Sequence, residues 1–86
     1  MNLVPIRENM TEVIINGSLT VLFSYRTPVA CVWTNGQGSR ALFKTSKKWS
    51  RTTSKHINQW ASHWTLSEPI KEQPQEYFDK LAQEVR

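Results

Sequence analysis

The sequence predicts a small α+β protein: an antiparallel sheet of three to four strands packs against one helix, and a C-terminal amphipathic helix follows. Three observations support this fold class. Turn signals separate short β-branched runs in the first half of the chain. Two later segments carry apolar residues at helical spacing. With 86 residues, 38% of them hydrophobic, the chain has room for a single modest core.

Alternation and turn residues predict the strands. Pro5 disfavours regular structure, so residues 1–10 are expected to form an N-terminal arm. A turn at Asn16-Gly17, a break or a sheet edge at Thr27-Pro28 and a glycine-containing loop over 35–39 separate four strand candidates. These candidates are residues 12–16, 18–25, 29–33 and 40–45. In the last one, Ala41 and Phe43 alternate with Arg40, Leu42 and Lys44, which predicts one core face and one partly basic face.

Helical spacing predicts two helices. The first runs from about residue 52 to residue 64, with Ser50 or Thr52 as its N-cap. Its apolar stripe consists of Ile57, Trp60, Ala61 and Trp64. The second helix, over 75–86, follows a linker with two prolines. The chain is therefore divided into the arm 1–10, a basic sheet-plus-helix domain 11–66, and the linker with the C-terminal helix 67–86.

The second helix has an apolar stripe that needs a partner surface. A helix this short is marginal alone, so its stripe must pack on the domain or pair with another copy in a homodimer. The sequence leaves both options open. The candidate interaction residues of this helix are Tyr77, Phe78, Leu81 and Val85.

Charge is distributed very unevenly along the chain. No carboxylate lies between residues 13 and 67, a span with seven lysines and arginines and hence a charge of +7. The flanks contribute −1 and −2, which gives the net +4. Such a span should attract polyanions from solution. Nucleic acid is therefore the leading partner, and an acidic protein is the alternative.

Within this span, residues 44–55 interleave cations with hydroxyl groups and one tryptophan. Phosphate contacts use these groups, and an exposed tryptophan can stack on a base. The alternative is a solvated face with capping hydroxyls. The predicted nucleic-acid-binding residues are Lys44, Lys47, Lys48, Trp49, Arg51 and Lys55, extended by Arg40 on the sheet.

The sequence offers little for catalysis, metal binding or membranes. His56 and His63 are seven residues apart, too far to share a zinc ion, and Cys31 has no second cysteine. The basic span lacks carboxylates for acid–base or two-metal chemistry, and no phosphate-binding glycine loop is present. We expect a protein that is not an enzyme and needs no cofactor. With no signal peptide or long apolar run, it is expected in the cytoplasm, away from membranes.

Two motifs resemble a family of small uncharacterised proteins of bacteriophages and prophages. The first is Ser24-Tyr-Arg-Thr-Pro-Val-Ala30, similar to a Ser-Tyr-x-Thr-x-Val-Ala strand. The second runs from residue 47 to residue 60 and contains a Ser-x-Thr-Thr-x-x-His helix start. The resemblance covers residues 12–64 and implies a viral context, with the host cytoplasm as the location. In it, Ser50, Thr52, Thr53 and His56 cluster where they either cap the helix and tie it to the sheet or contact a ligand.

These observations lead to two main hypotheses. The first is a phage-type accessory or regulatory protein that binds the phosphate backbone of nucleic acid. The second is a phage-encoded inhibitor or adaptor that binds a host protein, for example a defence or transcription enzyme. A structural component of the virion is a third possibility, based only on size and context.

Overall fold

A computed structural model describes the backbone of residues 2–7, 10–37, 39–64 and 69–85, and the side chains of 10–15, 17–37, 39–64 and 69–83. Within these residues the chain forms six strands and two helices. The strands are Asn2–Arg7 (β1), Met10–Asn16 (β2), Leu19–Ser24 (β3), Thr27–Thr34 (β4), Arg40–Thr45 (β5) and Lys71–Gln73 (β6). The helices are Arg51–Ala61 (α1) and Gln75–Val85 (α2).

All six strands belong to one sheet, in which the spatial order is the same as the chain order. Strands β1 to β5 form an antiparallel meander, and β6 adds in parallel beside β5 after α1. A parallel neighbour needs a crossover connection, and α1 lies within it. The α+β class is therefore confirmed, but the prediction of three to four strands is wrong because β1 and β6 enlarge the sheet.

The two additional strands lie where the sequence predicted irregular structure. The N-terminal arm prediction is wrong for residues 2–7, which pair with β2 through a register that shifts after Pro5. Proline is tolerated there because β1 is an edge strand. The predicted break or sheet edge at Thr27-Pro28 is also wrong, since both residues belong to β4, which lies between β3 and β5. The chain reverses earlier, between Ser24 and Thr27, and a register shift near Phe23 accommodates the proline.

The helices cover opposite faces of the sheet, because adjacent strand residues point to opposite sides. On one face, Leu22, Val32 and Leu42 pack with Ile57 and Trp60 of α1. On the other face, the buried residues of the sheet and of α2 are Leu19, Val21, Cys31, Phe78 and Leu81. The prediction of one core face and one partly basic face is therefore wrong, because both faces carry a buried core. Arg40 and Lys44, which alternate with Phe43, emerge at the margins of the face that α1 covers.

Helix α1 begins and ends close to the predicted positions. The Ser50 side chain accepts a hydrogen bond from the Thr53 amide at 3.3 Å, which identifies Ser50 rather than Thr52 as the N-cap. The helix ends at Ala61, so Trp64 packs against the core from the following turn. The indole N–H of Trp60 donates to the Glu12 carboxylate on β2 at 2.6 Å, which satisfies the polar atom of a buried ring.

Candidate functional site

A basic pocket of about 350 Å³ opens beside the first half of α1. Residues 44–49, which form the end of β5 and the connection to α1, line one side of it. Thr53, Ser54, Ile57 and Asn58 of α1 line the other side, and Glu72 of β6 completes it. The pocket therefore brings together Lys44, Lys47, Lys48 and Trp49 from the predicted nucleic-acid-binding residues.

The position of Trp49 in this pocket is set by Gln75, the first residue of α2. The Gln75 side-chain oxygen accepts hydrogen bonds from the Trp49 indole N–H at 3.2 Å and from the Thr45 hydroxyl at 2.8 Å. Its amide nitrogen donates to the Pro28 carbonyl at 2.8 Å and to Asp79 at 3.1 Å. One glutamine thus joins β4, β5, the pocket wall and α2. Sequence reasoning missed Gln75, because no local pattern shows that a helix start lies beside a distant tryptophan.

Lys47 and Trp49 interact within the pocket. The Lys47 ammonium lies 4.2 Å from the centre of the Trp49 ring, a cation–π contact. The ring is 37% exposed, so part of it faces solvent although its N–H is anchored. A lysine side chain has many rotamers, so the ammonium can leave the ring without moving the backbone.

The other predicted site residues lie outside this pocket. Arg51 and Lys55 are exposed and one helical turn apart on the solvent side of α1, where they form a basic ridge beside the pocket. Arg40 is at the opposite end of β5 from the pocket, roughly 13 Å from Lys44 at about 3.3 Å per residue. Its guanidinium lies 5.5 Å from the Trp64 ring centre. The structure thus places Arg40 away from the pocket.

The two sequence motifs meet in a buried polar cluster beside the pocket. The Ser24 hydroxyl at the end of β3 is 2.8 Å from His56 Nδ1 and 3.1 Å from the Thr53 hydroxyl, both on α1. All three side chains are buried. This is the arrangement in which the Ser/Thr/His helix start caps the helix and ties it to the sheet. Ser24 and His56 do not line the basic pocket, whereas Thr53 reaches it.

Tyr25, next to Ser24, has an unusual backbone conformation. Its φ angle is +59°, a region that residues other than glycine rarely adopt. Its ring is half exposed and lies 6.0 Å from the His56 ring, centre to centre. The tight reversal into β4 places Tyr25 in this conformation, with its ring beside His56 of the polar cluster.

The apolar stripe of the predicted interaction helix packs against the sheet of the same chain. Phe78 is fully buried and Leu81 is 8% exposed, both against the sheet, while Tyr77 is partly buried beside Phe43. The Val85 side chain lies outside the described residues. Of the two options left open by the sequence, the structure shows packing on the domain, and a homodimer through Phe78 would require this core to open.

Cys31 and Tyr77 lie together under α2. Burial raises the pKa of the Cys31 thiol to about 12, and hydrogen bonds with Tyr77 and Trp33 lower it only partly. Burial also raises the pKa of Tyr77. At neutral pH the thiol is therefore protonated and enclosed, which makes it a poor nucleophile.

In the part of the chain that the structure describes, no group of three or more histidine, cysteine and acidic side chains is arranged to hold a metal ion. Nor is either described helix long and apolar enough to cross a membrane.

Fold and site together define a small α+β protein with a helix on each face of its sheet and a basic, tryptophan-containing pocket at one end. The sequence model of a protein family, described as "Family of unknown function (DUF8033)", matches residues 1–80. The chain belongs to this family. No curated protein and no solved structure matches the chain.

Proposed function

We propose that this protein binds nucleic acid through backbone phosphates, at the basic pocket and the adjoining ridge. The observation that supports this most is the convergence of Lys44, Lys47 and Lys48 with Trp49 around one open pocket. Lysines supply the charge for phosphate contacts, and an exposed indole supplies a surface for a base.

Electrostatics support an anionic ligand for this pocket. Among the described residues, none of the three lysines has a carboxylate within salt-bridge distance. Like charges gathered around one pocket repel each other, and a polyanion relieves that repulsion. Arg51 and Lys55 on the ridge extend the positive surface along α1. A nucleic-acid strand that extends out of the pocket can therefore continue along α1.

The resemblance to small phage and prophage proteins adds a context to this proposal. A protein of this size with one basic surface suits an accessory or regulatory role on a viral or host nucleic acid. Binding to phosphates alone would be weakly dependent on sequence and strongly dependent on salt.

Fluorescence anisotropy tests the proposal, with labelled single- and double-stranded DNA and RNA titrated across salt concentrations. We expect the logarithm of the association constant to fall linearly with the logarithm of the salt concentration. Lys48→Glu should weaken it and lower the salt slope by about 1. Lys80→Glu, an equal charge change at an exposed position of α2, is the matched control and should have a much smaller effect. Absence of binding at low salt would refute the proposal and direct the search to an acidic protein partner.

A further inference from the structure

Glu72 is the one carboxylate among the residues that line the described basic pocket. The parallel pairing of β5 and β6 sets it directly opposite Lys44. Within the described part of the chain no ion pair joins the two side chains, and Glu72 is exposed. A carboxylate repels phosphate, so Glu72 would lower the affinity of a site that binds only phosphates. The carboxylate suits a ligand that also donates hydrogen bonds, as the exocyclic amino groups of bases do.

Asn58 of α1 also lines the pocket, and its side-chain amide both donates and accepts hydrogen bonds. Amide and carboxylate side chains are the groups that proteins use on base edges: asparagine pairs with adenine, and glutamate accepts from the amino group of cytosine. The pocket thus combines lysines that can bind a phosphate with Glu72 and Asn58, which can bind a base edge. A nucleotide whose phosphate contacts the lysines can present its base edge to Glu72 and Asn58.

The size and shape of the pocket favour an unpaired base. Its volume of about 350 Å³ is at the lower end of the range for ligand pockets, which suits one nucleotide. In a duplex the amino edges are already paired and the bases are stacked, so they cannot enter a concave site. Trp49 provides a stacking surface once Lys47 leaves its ring for a phosphate.

We infer that the basic pocket binds one unpaired base of a single-stranded nucleic acid, and that Glu72 selects bases with an amino group on the Watson–Crick edge. The inference depends on the proposed function and specifies its ligand. Cytosine presents an amino donor to the carboxylate, whereas thymine presents a carbonyl oxygen at the same position, which the carboxylate repels. Single strands of cytosine should therefore bind more tightly than single strands of thymine of equal length and charge.

The test compares labelled oligo-dC and oligo-dT of about 12 nucleotides, a length within the usual range for single-strand sites. The wild-type protein should prefer oligo-dC by roughly ten-fold. Glu72→Gln should tighten oligo-dT binding and reduce the preference to less than about two-fold, because the amide can donate to the thymine carbonyl. Glu76→Gln, the same change at an exposed position of α2, should retain the full preference.

The outcomes separate the inference from the proposed function. Failure of both oligonucleotides to bind at low salt would refute the proposed function itself. Salt-dependent binding of both with equal affinity would leave phosphate binding intact and overturn the inference. A preference that survives Glu72→Gln would also overturn it. The Trp49 emission should change on binding, and this change should disappear in Trp49→Phe.

Discussion

At the scale of single residues, polar side chains connect the helices to the sheet. The Ser24 hydroxyl hydrogen-bonds with Thr53 and His56 of α1, and Glu12 accepts from Trp60. Gln75, at the start of α2, donates to the Pro28 carbonyl. Burying any of these polar groups without a hydrogen-bond partner would destabilise the folded protein. The contacts therefore favour one position of each helix more strongly than apolar packing alone would.

Replacing Ser24 with alanine should destabilise the protein although only one oxygen is removed. The change leaves His56 Nδ1 and the Thr53 hydroxyl without the Ser24 contact in a buried site, which costs about 1–3 kcal/mol of the free energy of unfolding. Urea denaturation followed by tryptophan fluorescence measures this. Thr52→Ala, at an exposed neighbouring position, should change the free energy by less than about 0.5 kcal/mol. Equal stabilities for the two variants would show that the cluster is not a structural tie.

Local sequence patterns predict the residue-scale features that have a local cause. Ser50 is one of the two predicted N-caps. Capping is a local feature, because the side chain of the N-cap accepts a hydrogen bond from the backbone amide two or three residues later. The sequence also offered the alternative in which the Ser/Thr/His residues at the helix start connect the helix to the sheet. Ser24 as the common partner and Gln75 as the Trp49 anchor were not predictable, because each contact joins residues 26 or more positions apart.

At the scale of elements, periodicity located the four central strands and both helices but missed the two edge strands. Edge strands need fewer apolar residues and tolerate proline or charge, so β1 with Pro5 and the polar Lys71–Gln73 segment gave weak signals. Alternation also could not show that both sheet faces are covered. That depends on where α2 packs, which is a tertiary property.

Helix α2 should be essential for folding because it supplies the core of its sheet face. Phe78→Ala removes a fully buried ring and should lower the free energy of unfolding by about 3–5 kcal/mol. Ile70→Ala, at a 40% exposed apolar residue, should cost less than about 0.5 kcal/mol. Denaturation at several protein concentrations, with light scattering, checks both variants. If Phe78 served a dimer instead, its loss would dissociate the dimer and the destabilisation would depend on concentration.

At the scale of the whole molecule, folding separates charges that are continuous in sequence. The carboxylate-free span puts Lys44, Lys47 and Lys48 around the pocket, Arg51 and Lys55 on the ridge, and Arg40 at the far end of β5. The described molecule measures 35 × 28 × 24 Å, so a bound strand can contact more than one of these regions. Sequence alone predicted the basic surface but could not divide it, because the division depends on helix orientation.

This division predicts that ligand length decides which cations matter. Lys55→Glu on the ridge should weaken binding of a single strand on the order of 30 nucleotides by roughly three- to ten-fold and lower its salt slope by about 1. Binding of a strand of about four nucleotides, which places one base in the pocket and has little length left for the ridge, should change less than about two-fold. Lys48→Glu should weaken both, because Lys48 lines the pocket. Anisotropy with the two lengths measures this difference. If Lys55→Glu lowered the affinity for both lengths equally, ridge and pocket would act as one site. If it lowered neither affinity, the ridge would not be part of the interface.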